Sequence, residues 1–591
     1  MVSFPRGAAD LFKRLSYLWP YLRPHKRKLA LGLSAILASV SVALLSPLLV
    51  GRGIDALRHQ VSRETLLGYG GLIVGIALVQ GVFSYFQRMI LVSMSRDIEF
   101  ELRNEYFAAL ESQPPAFFQE HSTGDLMARA TKDMEAVRML CGPAIMYGTS
   151  TFFTAVGALL FMLRINGVLT LLALFTMPLV ALTTNLFGRR IHNLFTEVQE
   201  KFSDVTTRVQ ENIAGVRVVR AYAREEREET DLRRINLNYL EGNRRLIGWT
   251  VAFHPLLQAL VGLGLVAALW YGGLQVIRGN ITVGEFVTFQ LFLNKLIWPM
   301  IALGWVINLA QRGTASLTRI RNILNAVPAI RDEAPLADPG EIRGALRFQN
   351  LTFAYREGAD PVLSQVDFEV PAGATVALVG RTGSGKSTLL SLIPRLIDPP
   401  HGTLFVDGVD ARRISLARLR AAIGMVPQET FLFSATIREN IALGRPDAAP
   451  EEVAEAARLA GLGSDMEAFP DGLDTIVGER GITLSGGQKQ RVALARALLR
   501  ASRILLLDDC LSAVDTHTEE QILRNLRTVF QGRTVFLVSH RISTVKEADL
   551  ILVLDRGEIL ERGTHAQLIA FGGLYADLHQ RQLLEEELAA V

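Results

Sequence analysis

Two stretches of this sequence carry side chains that could do chemistry together. In "ILLLDD", residues 504–509, an apolar run ends on adjacent carboxylates, Asp508 and Asp509. In "GRTGSGKST", residues 380–388, glycines and small hydroxyl residues surround Lys386. Gly380, Gly385, Lys386 and Ser387 fit the spacing GxxxxGK[ST], whose glycines let successive backbone N–H groups point at phosphate oxygens. Lys386 would then reach the β and γ phosphates of a nucleotide, and Ser387 a Mg²⁺ ion. Asp508, at the end of a buried strand, suits the same cation. Asp509 needs a separate explanation.

A third stretch, "LSGGQKQRVALARALL" at residues 484–499, sets Ser485, Gly486 and Gly487 ahead of a helical run. That is a second helix N-terminus suited to phosphate. One chain does not need two such sites for one γ-phosphate. Ser485 to Gln488 are therefore expected to serve an ATP held by a second, facing domain.

The elements that must position these residues divide the chain. At 591 residues it exceeds one ordinary domain, and composition shifts near residue 325. After that point short apolar strands alternate with Gly-rich turns and charged helices. Before it run six apolar segments, near 29–50, 66–87, 140–163, 167–187, 246–277 and 286–310. Each is long enough to cross a hydrocarbon core, which needs ~20 helical residues. Long charged stretches separate the second span from the third and the fourth from the fifth, so extended helices are expected to project from one side. A mean hydropathy of +0.25 agrees with a membrane-embedded half.

Arg6, Lys13, Arg14, Arg23, Lys26, Arg27 and Lys28 precede the first span, and both long loops are rich in Arg, whereas the turn between spans three and four has Arg164. The positive-inside bias predicts a cytoplasmic N-terminus and cytoplasmic long loops. Tyr17, Trp19 and Tyr21 beside that basic cluster predict an amphipathic surface helix over residues 10–28. Lys295, Asn294, His254 and Asn185 lie within spans and are candidate pathway residues; snorkelling or interhelical hydrogen bonding is the plainer alternative. A net charge of +3 gives no argument for nucleic acid, and Cys141 and Cys510 are too few for a disulfide framework. No early apolar stretch marks a cleavable signal.

Taken in order, "GRTGSGKST", "MVPQETFLFSATIRENI", "LSGGQKQR", "ILLLDD", "LSAVD" and "VSHR" resemble the ATP-binding cassette exporters over nearly the whole chain. The resemblance implies an α-helical six-span transmembrane domain plus an α/β P-loop NTPase (ABC ATPase) domain, with ATP and Mg²⁺ as cofactors. The corresponding boundaries are an N-terminal segment 1–28, a membrane domain 29–325, a linker 326–342, a nucleotide-binding domain 343–582 and a tail 583–591. It also implies roles. Tyr355 stacks on adenine, and the loop from Gly380 through Arg381, Thr382, Gly383, Ser384, Gly385, Lys386, Ser387 and Thr388 holds the phosphates. Gln428 contacts Mg²⁺ and the attacking water, Asp508 binds Mg²⁺, Asp515 lies where two domains communicate, and His540 senses the γ-phosphate. A core tyrosine, a surface glutamine and a loop histidine are the bland readings. Residues 120–135 and 211–228 resemble two coupling segments, and residues 475–481 the loop that touches them.

Such exporters normally carry glutamate where this chain has Asp509. A general base must lie within ~2.6–3.2 Å of its proton, or act through one water. Aspartate is one methylene shorter, leaving the carboxylate ~1.3 Å back, and such misplacement can cost on the order of 10²-fold in rate. The expectation is a slowly hydrolysing site in a heterodimer whose partner supplies a glutamate, in a bacterial inner membrane, moving drugs, lipids or peptides outward. A homodimer with slow aspartate chemistry, an importer of exporter architecture, and a nucleotide-gated channel or sensor stay open. The six spans exclude a soluble ATPase of this type.

Overall fold

The computed structural model describes residues 17–59, 62–356, 358–478 and 484–589. Contacts divide the chain into two compact units, one running to Ala109 and resuming over Gly124–Asn325, the other comprising Leu110–Thr123 and everything from Ala326 on.

Among the described residues, six helical stretches, lying almost wholly in the first unit, are long and apolar enough to cross a membrane: Lys26–Leu57, Arg63–Glu111, Thr123–Ile165, Gly167–Ala214, Glu225–Ile277 and Val283–Leu324. At 1.5 Å per residue, the 53 residues of Glu225–Ile277 reach ~80 Å, far beyond a ~30 Å hydrocarbon core. The charged stretches are thus continuations of the spans, as their spacing implied. Proline explains two local departures. Leu140–Ala144 forms a wide helical turn around Pro143, which cannot donate to the preceding turn. The fourth stretch breaks between Leu174 and Met177, just before Pro178.

Polar side chains tie the helices where apolar packing is indifferent. Asp55 accepts from Thr282 Oγ1 at 2.6 Å and from Gly284 N at 2.8 Å, joining the end of the first helix to the start of the last. Asp133, buried on a wide turn over Arg129–Asp133, accepts from Ser316 at 2.9 Å and pairs with Arg319 on the last helix. Near the N-terminus a short helix covers Trp19–Leu22, and Arg321 sits 4.0 Å over the Tyr17 ring. Residues 10–16 of the expected surface helix fall outside the described residues.

In the second unit, two sheets form. The smaller has the order β2-β1-β4-β5, from β1 (Leu346–Phe353), β2 (Leu363–Val370), β4 (Leu404–Val406) and β5 (Val409–Asp410). The larger has the order β10-β9-β3-β8-β7-β6, from β3 (Thr375–Gly380), β6 (Ile423–Val426), β7 (Ile504–Asp508), β8 (Thr534–Val538), β9 (Leu550–Asp555) and β10 (Glu558–Gly563). Strands β9, β3, β8, β7 and β6 run parallel and β10 is antiparallel. Alternate residues of β3 serve two cores: Val376 and Leu378 face one layer, Ala377 and Val379 the other. Burial on both faces explains why β7 and β8 read as unbroken apolar runs. The parallel strands end together, so loops after β3, β6, β7 and β8 share one edge of the sheet, where α/β folds place ligands.

Candidate nucleotide site

The loop after β3 fits its glycines closely. Gly380 has φ +153°, and a Cβ there would lie 2.0 Å from Leu554 O. Gly385, at φ +100°, would push a Cβ to 2.7 Å from Leu363 Cδ2. Only glycine fits these two positions without displacing neighbours. Beyond them the helix Lys386–Leu392 begins, with Lys386 buried and its Nζ donating to Gly380 O at 2.9 Å and Arg381 O at 2.8 Å. Burial lowers the Lys386 pKa, with the Asp508 and Asp509 carboxylates opposing it. The ammonium therefore stands inside the loop, facing two acids.

One cavity is lined by Thr382 through Thr388 together with Gln428, Asp508, Asp509 and His540. Residues from four separate loops meet there. Asp508 closes β7, buried, and the Ser387 hydroxyl bonds to its carboxylate. Its Oδ1 is buried without a hydrogen-bond partner among the described residues. A buried orphan acceptor beside a hydroxyl is a fit for a hard cation that takes one carboxylate, a hydroxyl and phosphate oxygens. Burial raises the Asp508 pKa, and the neighbouring Asp509 adds to the rise. Asp509 is half-buried and has φ +48°, a left-handed backbone that aspartate tolerates better than most residues. Its carboxyl too is raised by burial, against the pull of His540, Ser512 and Lys386.

Tyr355 follows β1, largely exposed, with its ring edge-on to Phe353 and its hydroxyl 3.0 Å from Thr388 Oγ1. It presents a free face beside the phosphate loop. Ser485 caps the helix Gly486–Leu499 through a reciprocal pair with Gln488: Gln488 N donates to Ser485 Oγ at 3.2 Å and Ser485 N to Gln488 Oε1 at 3.0 Å. The same serine and glutamine thus have a structural duty. Among the described residues lining the Lys386 cavity, none comes from 485–488. Asp515 caps the next helix, Thr516–Phe530, accepting from Thr518 N at 2.9 Å, and that bond lowers its pKa.

Sequence reasoning passed over Gln490. It is buried on the Gly486–Leu499 helix, donates to Ser512 Oγ and accepts from Ala513 N, each at 3.0 Å. Ser512 in turn donates to Asp509 O at 2.9 Å. A relay of three residues therefore connects the capped helix to Asp509. The signal available was a second glutamine on the inward side of an apolar helix. Gln113 was missed as well: it donates to Ala326 O at 3.0 Å, anchoring the short helix Pro115–Glu120 within the second unit. That anchored helix begins five residues ahead of the stretch 120–135 and ends on its first residue. Residues 211–228 form a turn around the short helix Val216–Ala221, with Ile213, Val218 and Tyr222 exposed. Of the loop 475–481, Glu479 to Gly481 lie outside the described residues.

Comparison with known proteins adds the following. Residues 29–300 match the family described as ABC transporter transmembrane region, and residues 363–512 the family described as ABC transporter. A probable multidrug resistance ABC transporter ATP-binding/permease protein, YheI of Bacillus subtilis (strain 168), is 38% identical over 97% of this chain and 98% of its own length. An ATP-dependent lipid A-core flippase of Syntrophus aciditrophicus (strain SB) is 35% identical over 98% of this chain and 96% of its own. Among solved structures, a bacterial Atm1-family ABC exporter with ATP bound aligns with TM-score 0.78 and 27% identity, over 94% of this chain and 98% of that one.

Proposed function

The chain belongs to the ABC transporters, with membrane region and ATPase in one polypeptide, and on that premise we propose that it is one subunit of an exporter for hydrophobic or amphipathic compounds whose own ATP site hydrolyses slowly. The likeness to a multidrug protein, a lipid flippase and an exporter structure supports the substrate class and direction. The N-terminus and ATPase unit are cytoplasmic and the helices cross a bacterial inner membrane, in keeping with the Lys and Arg bias around the spans.

Each side chain has a task. Tyr355 offers its face to adenine. The backbone from Arg381 to Thr388 and the Lys386 ammonium hold the phosphates. Ser387, Asp508 and Gln428 would hold Mg²⁺, which neutralises charge on the phosphate oxygens when bound. His540, at the cavity rim after β8, would donate a hydrogen bond to the γ-phosphate. Asp509 stands where a carboxylate would orient the attacking water, but one methylene short of glutamate's reach.

The carrying observation is that Ser485 to Gln488 lie outside the cavity that contains Lys386, Asp508 and Asp509. Two chains facing head to tail would complete both ATP sites, the Ser485 helix of each closing over the nucleotide of the other. This chain then supplies an intact Ser485–Gln488 segment to a partner carrying the catalytic glutamate. The exposed apolar turn at Ile213, Val218 and Tyr222 is a contact for that partner. ATP binding favours the closed pair, and hydrolysis at the partner's site resets it.

The test is to purify the tagged chain from its own host, identify any half-transporter that accompanies it, and follow a lipophilic dye in inverted vesicles. The reading expects a second, different half-transporter and ATP-driven accumulation. Isolation as a homodimer with full ATPase activity, or dye efflux from the vesicles, would overturn it.

A further inference from the structure

The helices Met177–Ala214 and Glu225–Ile277 flank an open pocket of about 390 Å³ lined by Phe187, Arg190, Leu194, Arg244, Arg245 and Trp249. Its floor is aromatic. Phe187 meets Trp249 edge-on at 5.3 Å and stacks on Phe253 at 5.7 Å. Its rim is cationic: the Arg190 guanidinium lies 5.9 Å above the Trp249 ring, with Arg244 and Arg245 on the facing helix.

Those charges are incompletely matched. Arg245 is bonded to Glu241 at 3.3 Å, while the nearby Glu197 is held by Lys201 at 2.7 Å. Among the described residues, neither Arg190 nor Arg244 forms an ion pair, although Arg190 lies within the field of Glu197. Guanidinium groups in that situation favour a planar or tetrahedral oxyanion that they can bind in pairs.

The surroundings select an anion attached to an apolar body. Immediately on the apolar side of the rim, Leu182 and Leu186 on one helix and Ile247 and Val251 on the other are exposed. Arg and Trp at the end of such a surface mark the level where hydrocarbon meets headgroups. A soluble anion would satisfy the arginines and leave the aromatic floor in water; a phospholipid fills both.

We propose that this pocket binds the phosphate headgroup of an anionic lipid, with its acyl chains along Leu186 and Val251. The assignment to the cytoplasmic leaflet rests on the cytoplasmic placement of the long helical extensions, whereas lipid binding itself does not, nor does it depend on the chemistry of Asp509. The two neighbouring arginines, neither held in an ion pair, make the site a sensor of anionic lipid content, since each basic group near an anionic headgroup strengthens binding several-fold.

The experiment uses the full chain in a neutral detergent and counts bound phosphatidylglycerol by native mass spectrometry across a titration, with phosphatidylcholine and glycerol phosphate as parallel probes. The expected result is a saturable phosphatidylglycerol site at least tenfold tighter than phosphatidylcholine, weakened on the order of tenfold or more in R190A/R244A. Glycerol phosphate should compete poorly. If R190A/R244A fails to fold, R244A alone and the charge-keeping R190K/R244K decide: the first should weaken binding several-fold, and the second should retain preference for the anionic lipid. Unchanged affinity in the alanine variants, equal binding of phosphatidylcholine, or equal binding of glycerol phosphate overturns the proposal.

Discussion

Asp508 and Asp509 are neighbours held in different conformations: Asp508 ends the buried strand β7, whereas Asp509 turns left-handed at φ +48° with its N–H bonded to Val538 O at 3.0 Å. The first aims into the phosphate loop beside Ser387. The backbone of the second is fixed on both sides, by the end of β8 and by the Ser512–Gln490 relay.

Asp508→Asn should stabilise the nucleotide-free protein while disabling it. Burial raises the pKa of both carboxyls above the ordinary value of 3.8. A raised folded-state pKa means that their contribution to stability is complete below the unfolded value and is lost as pH rises through the folded one. At neutral pH the asparagine variant removes a poorly solvated charge, and a gain of roughly 1 kcal/mol is expected in thermal melts. Mg²⁺-dependent protection by ATP should disappear.

Asp515 has the opposite sign. Its bond to Thr518 N lowers its pKa, so its contribution is present above 3.8 and fades as pH falls through the folded value. Asp515→Ala should lower the melting temperature near neutrality, a loss that shrinks in acid, as melting across a pH series would record.

Gly385→Ala should fail on two counts, a forbidden φ and a Cβ 2.7 Å from Leu363. A loss of roughly 1–3 kcal/mol is expected, with ATP protection gone as well. A melting temperature and nucleotide affinity equal to wild type would show that the loop does not hold this conformation.

Ser485 separates structure from chemistry. Ser485→Ala removes the cap and should cost about 1 kcal/mol. Ser485→Asp keeps a capping oxygen but brings a negative charge to the phosphates. Its melting should stay near wild type, while ATPase of the two-subunit assembly falls on the order of 10²-fold. Equal activity in the aspartate variant would leave Ser485 a cap alone.

Much of this was legible because it rests on local pattern. The apolar runs gave the spans, the apolar run ahead of Asp508 gave a buried strand, and the glycine spacing around Lys386 gave the loop. What could not be read depended on residues distant in sequence. Asp133 finds Ser316 and Arg319, and Asp55 finds Gly284, through helix packing that no periodicity encodes. Gln490 gains its role only through Ser512 and Ala513, which the loop after Asp509 brings to it. Gln113, likewise, finds its partner Ala326 far along the chain.

ATP hydrolysis by the purified chain alone, compared with its Asp509→Glu and Asp509→Asn variants, tests the central claim most directly. The account predicts slow turnover by the wild type, little further loss in Asp509→Asn, and a gain approaching 10²-fold in Asp509→Glu. Vigorous wild-type hydrolysis abolished by Asp509→Asn would contradict it.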